Sequence, residues 1–268
     1  MSVCYQKRPH DKHQGGIVRG DYLKGLLVTD ESITRSYMKL NGFTIAETHS
    51  ENKSFLSDSV EDMVIVVGGS GRKSGESADW LINNYSPDFL ISVGYAMSLN
   101  QEIAPGDSVF CSKITALEGP MALWNKDSSY ISEISSSIQF DKFGDEVLKN
   151  VDTFSEGNLL CANSIPSKTK MRYWIGEEFD SCVIDIDSSN ISRTCLNSNV
   201  PFAIVRFVVV TADEELSVFD RRSLGGLVNP TYKNYIMPSN IFGSLKRARR
   251  RKKAVCDLNQ IIAAVASI

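Results

Sequence analysis

The sequence has no long apolar run. None approaches the ~20 residues that cross a bilayer, and the opening stretch, MSVCYQKRPHDKHQGG, lacks the apolar segment of a secretory signal. A cytoplasmic protein without stable membrane insertion is therefore expected. Histidine is scarce, with 3 residues, and the six cysteines (Cys4, Cys111, Cys161, Cys182, Cys195, Cys256) are scattered, without a CxxC pair. With no histidine at metal-ligand spacing, reduced buried thiols are the reading preferred over disulfides or zinc. No metal and no cofactor are called for. Neither charge dominates: 29 Lys and Arg against 32 Asp and Glu leave a formal net charge of −3. Nucleic acid and anionic membranes are accordingly not expected as partners. A Walker loop, a GxGxxG fingerprint and internal repeats are also missing.

What is present suits one α/β domain. At 268 residues and 42% hydrophobic, the chain can bury one substantial core. Residues 1–21 are polar and aperiodic, and read as an N-terminal extension; His10 and His13 lie in it as tail residues. From Leu23, LKGLLV reads as a strand, TDES as a turn and ITRSYMKLNGF as a helix. MVIVVGG is a β-branched run suited to burial on both faces, followed by GGSGRKSG and the helical ESADWLINNY. FLISVG is a further strand, and IAPGDSVFCSKI a turn and another strand. From about residue 115 to 155 the serine-rich SSYISEISSSI and FGDEVLKNV suggest a helix or two and no chemistry. Strand GNLLCANSI, helix SKTKMRYWIGEEF, strand and helix SCVIDIDSSNISRTCLNSN, and strand VPFAIVRFVVV complete the series before a basic C-terminal helical region. Alternating strands and helices predict a mostly parallel twisted central sheet flanked by helices.

Ligands of open α/β sheets collect at the carboxyl ends of the strands. That nominates five segments: TDES (29–32), GGSGRKSG (68–75), GYAMS (94–98), DIDSS (185–189) and VVTADEE (209–215). In the second, Gly69, Ser70, Gly71 and Arg72 are a candidate phosphate or ribose loop, since glycines admit close backbone approach and the following helix offers unpaired amides. A plain tight turn is the rival reading.

Taken in order, these segments resemble a known family. VVGGSGRKSGESADWLINNYSPDFLISVGYAMSLNQEIAPGDSVF is similar to the glycine loop, helix, PD turn, GxAG strand end and GD turn of purine nucleoside phosphorylases and methylthioadenosine/adenosylhomocysteine nucleosidases. SCVIDIDSSNISRTCLNSNVPFAIVRFVVVTADEEL resembles the family's DMES motif, helix, VPF strand, arginine and SDxAD motif. The ordered match covers roughly residues 23–215, and helix SKTKMRY with the basic tail is most similar to the hopanoid-associated phosphorylase branch. The resemblance implies a nucleoside phosphorylase-like domain over 22–268. It implies cleavage of the N-glycosidic bond of a purine nucleoside or adenosyl compound by water (a hydrolase) or phosphate (a glycosyltransferase), without a cofactor. It also implies a homo-oligomer, or a hetero-oligomer with a paralogue.

The same resemblance assigns residues. Gly94, Ala96 and Met97 fall on GxAG, with Met97 replacing a glycine. Ile186 and Asp187 stand where methionine and glutamate hold the ribose, although Asp187 also suits a helix N-cap. Glu31 is nearest to the glutamate that positions water, against the plainer reading of a first-turn carboxylate. Val209 and Val210 replace the serine and aspartate of SDxAD, so Val210 stands where the purine-protonating aspartate belongs and cannot donate a proton. Asp213 matches the second aspartate and is, with Glu214, the candidate substitute; Arg206 loses one of the acidic partners it would face. The run LKRARRRKK reads as solvated helix surface, or as a binder of a phosphate-bearing partner, a membrane surface or an acidic subunit. Two classes follow: an enzyme with a rearranged acid, or an inactive relative serving as a ligand-binding or assembly subunit.

Overall fold

The computed structural model describes residues 22–119, 128–139, 154–166, 168–214 and 260–261. The N-terminal extension (1–21), FGDEVLKNV and the basic run 246–253 lie outside them. Ten strands form one sheet: β1 (Lys24–Val28), β2 (Thr44–His49), β3 (Asn52–Ser57), β4 (Val60–Val67), β5 (Phe89–Ser98), β6 (Ser108–Leu117), β7 (Ile131–Ser135), β8 (Phe154–Ala162), β9 (Val183–Asp185) and β10 (Phe202–Val210). Among the described residues the α-helices are α1 (Glu31–Leu40), α2 (Arg72–Tyr85), α3 (Thr169–Glu178) and α4 (Ser188–Asn197).

The sheet is mixed. β1 runs parallel with β4 and β5, β5 with β10, β6 with β8, and β8 with β9. The other pairings, β10–β6, β2–β3, β3–β4, β5–β9 and β6–β7, are antiparallel. Since β5 pairs with both β9 and β10, the strands β5, β10, β6, β8 and β9 close a ring, and β1, β4, β3 and β2 extend from it as an open flank. β5, held between β1, β9 and β10, and β10, held between β5 and β6, carry almost uninterrupted apolar sequence. Every residue of β5 and β10 is buried.

Alternation along the strands sorts side chains into two cores. One holds Leu26, Ile65, Ile91, Val93 and Val205, covered by Ile33, Tyr37 and Met38 of α1 and Ile175 of α3. The other holds Leu27, Val64, Val66, Leu90 and Ile204, covered by Ala78 and Leu81 of α2 and Ile191 and Cys195 of α4. Ile261 joins the first core.

Two expectations are corrected, and one stretch without a sequence reading is filled in. SSYISEISSSI forms a single 3₁₀ turn at Ser128–Tyr130 followed by β7, an edge strand on β6, because hydroxyl side chains suit a half-exposed strand as well as a helix. GYAMS is the last half of β5 rather than a loop beyond it, since β9 and β10 on either side carry the ladder past Gly94; the strand read through Val210 is β10. The stretch 44–57, which lacks a clear strand pattern, is the β2–β3 hairpin; all six residues of the edge strand β2 are exposed, so no buried face marks it.

Candidate functional site

Asp187 is the point on which the strand-end segments converge. It sits between β9 and α4, 6% exposed, and its carboxylate faces the glycine loop after β4. Ser70 Oγ donates to Asp187 Oδ1 at 2.8 Å, the Gly71 amide donates to the same oxygen, and Thr29 Oγ1, just after β1, donates to Oδ2 at 3.2 Å. Ser74 Oγ of α2 donates to the Asp187 carbonyl at 3.1 Å, and Asn190 Nδ2 of α4 donates to the Gly71 carbonyl at 3.2 Å. Although Asp187 occupies the N-cap position of α4, its side chain caps nothing there and is spent on the loops opposite. Gly71 has φ +64, a left-handed conformation that suits glycine and turns the chain into α2. Burial, reinforced by the nearby Asp185 charge, pushes the Asp187 carboxyl up to about 6, against the opposing pull of Arg206 and the Gly71 amide.

Beneath it lies a second carboxylate. Asp185 Oδ2 accepts from Arg206 Nε at 2.6 Å, and both side chains are 1% exposed. Ser188 Oγ donates to the same oxygen at 2.5 Å. Arg206 Nη1 donates to the Ser92 carbonyl, the Ser92 hydroxyl and the Val205 carbonyl at 3.0–3.2 Å, while Nη2 has no partner among the described residues. The partner of Arg206 is therefore Asp185, two residues before Asp187 on the same strand end. Gly94 has a packing reason: a Cβ there would stand 3.3 Å from the guanidinium carbon.

The other sequence candidates are placed as follows. Ala96 and Met97 are buried strand residues of β5; Met97 pairs in register with Val210, and Met97, Val209 and Val210 belong to one apolar core. Ile186 is buried, with Cδ1 close to where a Gly71 side chain would begin. Gly69 is buried, its amide donating to Ser77 Oγ at 2.9 Å, and Arg72 is exposed at the first turn of α2. Glu31 opens α1 and pairs with Arg35 at 3.3 Å, one turn on, rather than with the Asp187 cluster. Asp213 is exposed in the turn after β10 and hydrogen-bonds the Tyr173 hydroxyl. The structure thus unites Ser70, Gly71, Ile186 and Asp187, while Glu31, two residues after Thr29, is tied to Arg35. Thr29, Asp185 and Ser188 fall within the nominated segments TDES and DIDSS, where the one individual signal is the charge of Asp185 in the otherwise apolar VIDI.

Among the described residues the thiols are poorly placed to act as nucleophiles. Cys111, Cys161, Cys182 and Cys195 are free, and burial pushes Cys182 up to about 11 and Cys195 up to about 12. Among the described residues no group of three His, Cys, Asp or Glu could hold a metal ion, and no helix is long and apolar enough to cross a membrane.

The sequence pattern of the phosphorylase superfamily matches residues 32–224, most of the chain. The chain belongs to the phosphorylase superfamily. Among relatives of this superfamily member, the 5'-methylthioadenosine/S-adenosylhomocysteine nucleosidase of Buchnera aphidicola is 25% identical over 159 residues, 57% of this chain and 68% of the relative. The nucleosidase of the same description from Staphylococcus aureus is 23% identical over 164 residues, 59% of this chain and 72% of the relative. In fold, the chain is similar to the Neisseria meningitidis nucleosidase in complex with methylthio-immucillin-A, with TM-score 0.70 and 14% identity over 92% of this chain and 99% of that one. It is also similar to the Helicobacter pylori futalosine hydrolase, with TM-score 0.67 and 12% identity over 90% of this chain and 97% of that one.

Proposed function

We propose that this chain acts on the N-glycosidic bond of a purine nucleoside or adenosyl compound, slowly, through a site in which Asp187 replaces the ribose-holding glutamate and no strand-end aspartate protonates the base. The observation that carries it is Asp187 itself. A carboxylate buried where the ends of β1, β4 and β9 meet, with Ile186 beside it, suits orientation of ribose hydroxyls and stabilisation of a cationic ribosyl centre. Cleavage breaks the C1'–N9 bond, its electron pair passes to the purine, and an oxygen of water or phosphate bonds to C1'. The nucleosidase and hydrolase names of the relatives favour water.

The leaving purine needs a proton, and loss of a general acid costs about 10²- to 10⁴-fold in rate. Val210 cannot supply that proton, and Asp213 is the nearest acidic residue in sequence. The burial of Val209 and Val210 in one apolar core with Met97 favours a second reading, a nucleoside-binding or assembly subunit without turnover.

Incubation of the purified protein with purine nucleosides, methylthioadenosine and adenosylhomocysteine, with and without phosphate, separates the readings by the free base released. Slow release is expected without phosphate. Release only with phosphate makes it a phosphorylase. Folded protein that binds a nucleoside and releases no base establishes the second reading, and folded protein that does neither overturns both.

A further inference from the structure

A cleft of about 370 Å³ opens between the turn joining β2 to β3 and the outer face of α2. Aromatic rings and carboxylates meet in it. His49 and Trp80 line it with rings parallel to within 7°, centroids 6.5 Å apart, and Trp80 is braced edge-on by Tyr85 at 5.9 Å. Three carboxylates, Glu51, Glu76 and Asp79, line the same cleft. Lys73 is committed to Glu51 by an ion pair, which leaves Glu76 and Asp79 without an ion-pair partner among the described residues. Asn52 and Asn83 add neutral hydrogen-bonding groups at the wall. Parallel ring faces attract a flat group, and a positive charge over an indole flanked by carboxylates gains both from the ring and from the acids.

We infer that this cleft is a binding site for a small planar organic cation, of the amidinium or guanidinium class, held flat against Trp80 and His49 with its charge toward Glu76 and Asp79. The floor ties the site to the glycine loop. Ser77 Oγ donates to Asn52 Oδ1 at 2.6 Å and accepts from the Gly69 amide at 2.9 Å, and Gly69 precedes the Ser70 and Gly71 that hold Asp187. A ligand that steadies Asn52 and Ser77 therefore steadies the loop.

The test uses benzamidine and its neutral, near-isosteric analogue benzamide on the full chain, by titration calorimetry, with hydrogen exchange at the Gly69 amide as a second readout. Benzamidine is expected to bind at one site, at least about tenfold more tightly than benzamide, and to slow exchange at Gly69. The double substitution Glu76→Gln, Asp79→Asn, on the exposed face of α2, should reduce affinity for benzamidine about tenfold and leave that for benzamide unchanged. Trp80→Leu should weaken both, and Trp80→Phe, which keeps an aromatic contact with Tyr85, covers the case in which the leucine variant does not fold. Equal binding of the two compounds, or benzamidine binding unaltered by the double substitution, overturns the inference, as does no binding to folded protein. None of these readouts involves nucleoside cleavage, so the inference stands or falls apart from the proposed activity.

Discussion

The ends of β9 and β10 belong to the same closed ring of strands and are built in opposite ways. β9 ends in the buried Asp185, with the buried Asp187 two residues beyond it; β10 ends in three buried valines. On β9 each charge is matched: Asp185 by Arg206 and Ser188, Asp187 by a hydroxyl and an amide of the glycine loop and by Thr29. On β10 nothing polar remains beyond Arg206. The contrast separates two things that strand-end residues supply in an α/β site, a scaffold for the loops and a proton for the reaction. This chain keeps the first at β9 and has apolar packing where the second would stand at β10.

The largest expected effect comes from breaking the matched end. Arg206→Ala strands Asp185 without its counter-charge in the core and should lower stability by about 3–5 kcal/mol, read from urea unfolding, whereas Arg206→Met with Asp185→Leu should recover most of the loss. Next is the substitution that makes the two ends alike. Val210→Asp should raise the rate of base release about 10²-fold or more in the folded protein, measured by chromatography of free purine, while lowering thermal stability because the carboxyl replaces a fully buried valine. Unchanged release from a folded Val210→Asp variant would count against the assignment of this position.

The smallest effect concerns Asp187 and depends on pH. Its folded carboxyl titrates near 6, above the ordinary 3.8. The native state therefore holds a proton there that the unfolded chain has lost, so stability falls as pH rises between those values and is flat above them. Asp187→Asn, which removes the titration and keeps an acceptor for Gly71, should gain on the wild type by on the order of 2 kcal/mol between pH 4 and 7. Melting temperatures across that range check it; a constant gap between the two proteins would place the titration elsewhere.

Much of the fold was legible because the ring strands bury both faces. FLISVG and VPFAIVRFVVV of the ring, and MVIVVGG of the neighbouring β4, announce themselves as apolar runs, and the helices between them carry the spacing that covers a sheet. What escaped lies at the rim. TIAETH has no buried face to create alternation, and SSYISEISSSI is a strand whose single buried residue, Ile134, leaves little pattern. At the site, the glycine loop and Asp187 were visible as segments, but their union was not, because residues more than a hundred positions apart meet only through sheet order. Helix capping was the wrong local role for Asp187, since propensity cannot see an acceptor turned across the sheet. Glu31 was drawn to the site by sequence position and stays on its own helix with Arg35.

The irregularity near the end of β10 has a consequence for how this strand can change. Ala203, Val205, Phe207 and Val209 share one core and Ile204 and Val208 the other, but Val210 stays with Val209, at a register shift against β5. The strand thus carries a phase slip one residue long. Replacing Val210 alters the chemistry offered at one position; deleting Val209 would remove the slip and return Val210 to the odd-numbered beat without changing its side chain, while bringing Thr211 and every residue up to Asp213 one step closer along the strand. Length, as much as identity, sets what this end of the sheet presents.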